Sequence, residues 1–177
     1  MKYNFVYKRN NDWSFEEERI IEQTIALVSN PIAGDPFLAV GRHLADITKV
    51  KFLIIGRNVP PEADKVQTVC FLNYGRPLAN ITYLLNGTPC QHVFDYDICY
   101  YPVGVKEEFP EDKDLVDMNI NSYMGTPLSD NAGNKIGLLV LLHDKTIQNP
   151  GFIEHLITIV SPVIEQQLVY HISLEVQ

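Results

Sequence analysis

Nine residues, Lys135 to His143, constrain the fold more than any other stretch of the chain. Between the flanking Lys and His the run reads Ile-Gly-Leu-Leu-Val-Leu-Leu, with no polar residue at either parity. Side chains of a strand point alternately to opposite faces, so a strand of this composition must be covered on both sides and belongs in the centre of its sheet. Asp130-Asn-Ala-Gly133 just before it is a hairpin turn, since Asn and Gly accept positive φ. Asn121 to Leu128 therefore reads as its antiparallel partner.

The remaining elements follow from caps and periodicity. Ser14 with Glu17 three residues on is a capping box, opening a helix over about 14–29 whose apolar face is Ile21, Ile25 and Val28. Asp35-Pro36 is a second start signal, followed by the stripe Phe37, Val40, Leu44 and Ile47 in a helix ending near Asp46. Val50–Ile55 and Val66–Tyr74 read as an antiparallel pair joined by the loop Arg57–Lys65. Val66, Thr68, Cys70, Leu72 and Tyr74 are expected on one face of the second strand. Residues 75–120 are turn-rich, with extended pieces near Ile81–Leu85 and Ile98–Tyr101 and a short helix near Pro89–Phe94. One or two further helical turns are expected over Asp112–Met118, capped by Asp112 with Leu115 and Met118 inward. A last helix spans about 150–172 with the apolar stripe Ile153, Leu156, Ile157, Val160, Ile164 and Leu168; Pro162 inside it should kink it. The expected class is α+β: a central antiparallel sheet of five to six strands, terminal helices on one face, and a wall of loops and short helices on the other.

Composition removes several functions. The net charge is −8, from 22 acidic against 14 basic residues, and no basic stripe exists, which argues against nucleic acid as a partner. No run approaches 18 apolar residues and the first residues lack a signal-peptide core, so no membrane span or secretion signal is expected. Cys70, Cys90 and Cys99 lack CxxC spacing and leave at least one thiol unpaired, which suits a reducing cytoplasm and indicates no metal ribbon.

Four short motifs recur in a fixed order: Gly-Thr-Pro-Cys at 87–90, Tyr-Pro-Val-Gly-Val at 101–105, Phe-Pro-Glu-Asp at 109–112 and Ser-Tyr-Met-Gly-Thr-Pro-Leu at 122–128. Together with the Asp-x-x-Gly turn and the following Gly-Leu-Leu, this series resembles the GAF domain family, in particular the sensory modules of bacterial signalling proteins. The resemblance covers about residues 20–167 of a single domain spanning 1–177. It implies a PAS-like shape with a small-molecule pocket in front of the sheet. The implied pocket residues are Tyr83, Thr88, Cys90, Phe94, Phe109, Leu115, Met118, Ser122, Tyr123 and Met124. The same aromatic, Met and hydroxyl side chains also suit a filled core, so the alternative is a GAF-fold dimerisation or scaffold module with no ligand.

The resemblance names no cofactor. Cyclic-nucleotide-binding relatives carry an Asn-Lys-x-Phe-x-x-x-Asp-Glu signature that is absent here. Bilin-binding relatives place Cys directly before His, whereas Gln91 separates Cys90 from His92. The free methionine-R-sulfoxide reductases of the family need a cysteine where this chain reads Asn-Ile-Asn-Ser-Tyr. No Gly-x-Ser-x-Gly elbow occurs either, so a non-catalytic module is expected. Cys90, just after Pro89 at a helix start, is the one thiol whose position raises the question of a lowered pKa. By the same resemblance the terminal helices would form a homodimer. In a longer protein the last helix would lead to an output domain: a kinase, a diguanylate cyclase or a transcriptional regulator.

Overall fold

The structure, a computed structural model, describes residues 3–4, 12–59 and 64–175. Among these, eight strands form one sheet in the order β1-β6-β7-β8-β2-β3-β4, with β5 also on β3, and every pairing is antiparallel. The long strands are β2 (Phe52–Asn58), β3 (Lys65–Asn73), β7 (Ser122–Ser129) and β8 (Lys135–His143). Shorter ones are β1 (Tyr3–Asn4), β4 (Arg76–Pro77), β5 (Thr82–Leu84) and β6 (Cys99–Tyr101). The two-residue edge pieces β1 and β4 account for the excess over five or six. β8 lies between β7 and β2 and alternates as its composition demands: Leu139 and Leu141 face one core, Leu138, Val140 and Leu142 the other. The middle of the loop between β2 and β3, including Pro60-Pro61, lies outside the described residues.

Three helices cover one face: α1 (Phe15–Ser29), α2 (Pro36–Thr48) and α6 (Pro150–Glu175). The capping box of α1 is complete, Ser14 Oγ accepting from Glu17 N and Glu17 Oε2 from Ser14 N. Trp13 packs against Phe152 with the rings tilted, and Phe37 meets His171, so α1 runs alongside α6 in the same direction while α2 runs against it. All six apolar residues expected on α6 are buried. Each such side chain contributes about 1.5–3 kcal/mol, against about 3 kcal/mol for an interior proline. The helix therefore continues through Pro162, with Thr158 and Ser161 bonding back to the carbonyls of Glu154 and Ile157.

Two face assignments need correction. On α1, Ile25 is exposed; the inward residue is Thr24, whose hydroxyl donates to Ile20 O and lies 2.8 Å from His43 Nε2 on α2. A partly polar helix contact replaces an apolar one. On β3, pairing skips from Ile55↔Cys70 to Gly56↔Thr68, a bulge at Val69. One extra residue inverts the alternation, so Val66 and Phe71 join the outer core while Cys70 and Leu72 join the helix-side core. Tyr74 is exposed in the turn after the strand, with φ of 46°. Gly56 stands at the bulge because a Cβ there would strike Val66 Cγ1, and Gly137 because a Cβ would strike the Gly56 carbonyl oxygen.

Candidate functional site

On the other face of the sheet, Phe52, Ile54, Phe71, Leu138, Val140, Leu142 and Tyr123 form a second apolar layer. Over it stand β5 and three short helices: α3 (Pro89–Asp95), α4 (Val105–Glu108), which the sequence did not suggest, and α5 (Lys113–Asp117). Lysines fasten two of these to the sheet. Lys135 Nζ, at the start of β8, donates to the carbonyls of Phe94 (2.9 Å) and Tyr96 (3.0 Å) at the end of α3. Lys51 Nζ donates to Met118 O (2.7 Å) just after α5. The last carbonyls of a helix lack internal partners and carry partial negative charge, so an ammonium there answers both deficits. Asp112 caps the start of α5, its Oδ1 accepting from Leu115 N at 3.4 Å.

Walls and sheet bound a half-open cavity of about 320 Å³. The strands supply Ile54, Phe71, Tyr123, Val140 and Leu142; β5 and its flanks supply Ile81, Tyr83, Leu84 and Asn86. Thr88, Pro89 and Cys90 come from the start of α3, and Leu115, Met118 and the charged run Glu111 to Asp114 from around α5. The hydroxyls of Tyr83 and Tyr123 both donate to Cys90 Sγ, at 3.5 and 3.3 Å. Gly125 makes this arrangement fit. A Cβ there would lie 2.5 Å from the Tyr123 hydroxyl oxygen and 2.7 Å from Val93 Cγ2, so only glycine lets α3 close onto β7 beside that phenol.

Burial sets the electrostatics. It pushes the Cys90 thiol above its ordinary value, although the two phenol hydrogen bonds pull the other way. It raises Tyr83 and Tyr123 well above the usual phenol range. The position of Cys90 at a helix start does not produce a lowered thiol pKa. Asp112 is also raised, chiefly by burial, with the Leu115 amide opposing.

Of the ten residues the sequence singled out, Tyr83, Thr88, Cys90, Leu115, Met118 and Tyr123 line the cavity; Phe94, Phe109, Ser122 and Met124 do not. Ser122 and Met124 neighbour Tyr123 on one strand and so point to the helix side. Ser122 Oγ donates to Lys145 O, and Met124 is buried in the helix-side core. Phe109 braces the wall instead, edge-on to His92 (5.0 Å) and Tyr101 (5.4 Å). Phe94 packs on the outer core from α3. His92 is held by the Tyr101 hydroxyl at 2.8 Å. No group of His, Cys, Asp and Glu able to hold a metal occurs among the described residues. Apart from Tyr83 on β5 and Tyr123 on β7, the sheet-borne lining was missed, though the alternation of β8 that yields Val140 and Leu142 was readable. The bulge that turns Phe71 inward was not.

No family model matches the sequence, and neither does any curated protein. Solved structures do match. The chromophore-binding domain of a Stigmatella aurantiaca bacteriophytochrome aligns over 88% of this chain at 12% identity with a TM-score of 0.66; this chain spans 60% of that one. The phycocyanobilin-bound GAF domain of a cyanobacterial phytochrome aligns over 90% of this chain and 99% of its own, at 14% identity and a TM-score of 0.59. An A. aeolicus NLH2 GAF domain in an inactive state aligns over 84% of this chain and 90% of its own, at 11% identity and a TM-score of 0.56. The motif series of 87–128, the central β8 and the helix-backed antiparallel sheet thus meet in one architecture: the chain has a GAF-type fold.

Proposed function

We propose that this chain is a single non-catalytic sensory GAF module, spanning 1–177, that binds a small molecule in the cavity over the sheet. The observation that carries the reading is the cavity itself. About 320 Å³ of half-open, mostly apolar space with a few placed polar groups lies within the usual range of ligand pockets, about 300–1,000 Å³. The volume sits at the low end of that range, which favours a compact ligand over an open-chain tetrapyrrole. Two of the similar structures are described as chromophore-binding and phycocyanobilin-bound. Here Cys90 is buried beneath two phenols and His92 does not line the cavity, so the covalent bilin chemistry of a Cys-His pair is not carried over. A thiol raised by burial also argues against a nucleophilic role of the reductase kind.

Occupancy would be relayed through the terminal helices. α6 packs on α1, α2 and the sheet, so a change in the outer wall reaches it through β7 and β8. In a longer protein α6 would couple to an output domain of the kinase, diguanylate cyclase or transcriptional-regulator kind. No helix among the described residues is long and apolar enough to cross a membrane, and we place the module in the cytoplasm. The test is native mass spectrometry of the purified protein together with thermal-shift screening against nucleotides, haem, flavins, amino acids and 2-oxo acids. A ligand at a hundred times its dissociation constant stabilises by about 2.7 kcal/mol. Leu115→Trp, which fills the cavity from α5, is expected to abolish both the shift and any co-purified mass. A wild-type protein with neither would favour the ligand-free scaffold.

A further inference from the structure

The polar groups inside the cavity share a property that restricts what fits. Tyr83 and Tyr123 spend their hydroxyl protons on Cys90 Sγ, and Thr88 spends its own on Leu85 O at 2.7 Å. Each of these hydroxyls has committed its proton and keeps only acceptor capacity, and Tyr83 and Thr88 are the two with exposed surface at the pocket, since Tyr123 is fully buried. Asp112 adds a carboxylate to the lining. One of its oxygens caps α5, and no Lys, Arg or His among the described residues forms an ion pair with it. The lining charges are Glu111, Asp112 and Asp114 against Lys113 alone, so an anion entering here meets an acidic surplus. Desolvation opposes the Asp112 charge, and a cation beside it would relieve that cost.

We infer that the cavity, read as the ligand site proposed above, takes a small organic ammonium: an apolar body against Phe71, Met118 and Leu142, and a cationic hydrogen-bond donor held by Asp112 with the Tyr83 hydroxyl oxygen beside it. Neutral alcohols of the same shape lose the charge pairing, and carboxylates of the same shape meet repulsion and unspent acceptors.

Two matched series separate this inference from the reading on which it rests: tryptamine, tryptophol and indole-3-acetate; and hexylamine, hexanol and hexanoate. Calorimetric titration and thermal shift at pH 7.5 are expected to show an amine binding at least about tenfold tighter than its alcohol, with its carboxylate undetected. Asp112→Asn keeps a capping side chain, so the fold is retained. It is expected to remove the amine's advantage over its alcohol. An alcohol or carboxylate binding as tightly as the amine would overturn the ammonium assignment and leave the pocket standing. An amine preference that survives Asp112→Asn would overturn the assignment of Asp112. Binding by none of the six compounds, with no response in the broader screen either, would remove the pocket and this inference together.

Discussion

Glu154 is the residue whose placement conflicts most with its chemistry. It sits in the first turns of α6 at 8% exposure, and its Oε2 has no hydrogen-bond partner. Burial raises its carboxyl above the ordinary value of 4.5. A group with a raised folded pKa adds stability below its unfolded pKa and loses that contribution as pH rises through the folded value. At neutral pH the charge is therefore a burden. Glu154→Gln is expected to raise stability at pH 7.5 by about 1 kcal/mol. The gain should close toward pH 4.5, where the wild-type carboxyl takes up its proton; urea unfolding at several pH values measures both. An equal gain at every pH would assign the effect to shape rather than charge. None of this was legible in the sequence, because Glu154 reads there as one more polar residue between the apolar positions Ile153 and Leu156. What sequence shows well at this scale is local: the Ser14–Glu17 box and the Asp35 and Asp112 caps all form with the partners their spacing dictates.

Elements were legible in proportion to how far their own residues determine them. β8 matches its expected bounds because composition alone forces it to the centre, and α6 keeps its stripe because six burials outweigh one proline. β3 switches faces at Val69, and α4 forms where no periodic pattern announces it, since both depend on neighbours distant in sequence. The outer wall is of the second kind. α3 has only seven residues, too few for independent helical stability, and its end rests on Lys135 from β8. Lys135→Met keeps the aliphatic stem and removes the ammonium. It is expected to cost about 1 kcal/mol and to speed amide exchange across residues 89–96 while β2 stays protected. Hydrogen-exchange mass spectrometry resolves the two segments, and an unchanged α3 would mean that the helix is held by Val93 and Cys90 packing alone.

At the scale of the whole molecule, the terminal helices extend beyond what the sheet needs. α6 has 26 residues, about 39 Å at 1.5 Å per residue, and its last buried side chain is Leu168. Beyond it Val169, Tyr170 and Leu174 are exposed, with Tyr170 and Leu174 one helical turn apart. α1, parallel to α6, adds exposed Phe15 and Ile25. Scattered apolar residues on a surface require no partner, but a second copy packed on the last turns of α6 would cover Tyr170 and Leu174 together. A stable pair needs about 800 Å² from each side, an area that two helices of this length can supply. Light scattering at tens of micromolar is expected to give twice the chain mass, and Tyr170→Glu with Leu174→Glu is expected to give the monomer. Both positions are exposed in the single chain, so the substituted monomer should keep its own stability within about 0.5 kcal/mol. If the wild-type protein runs as a monomer, the helix-mediated relay loses its partner and ligand occupancy has to be read by α6 within one chain.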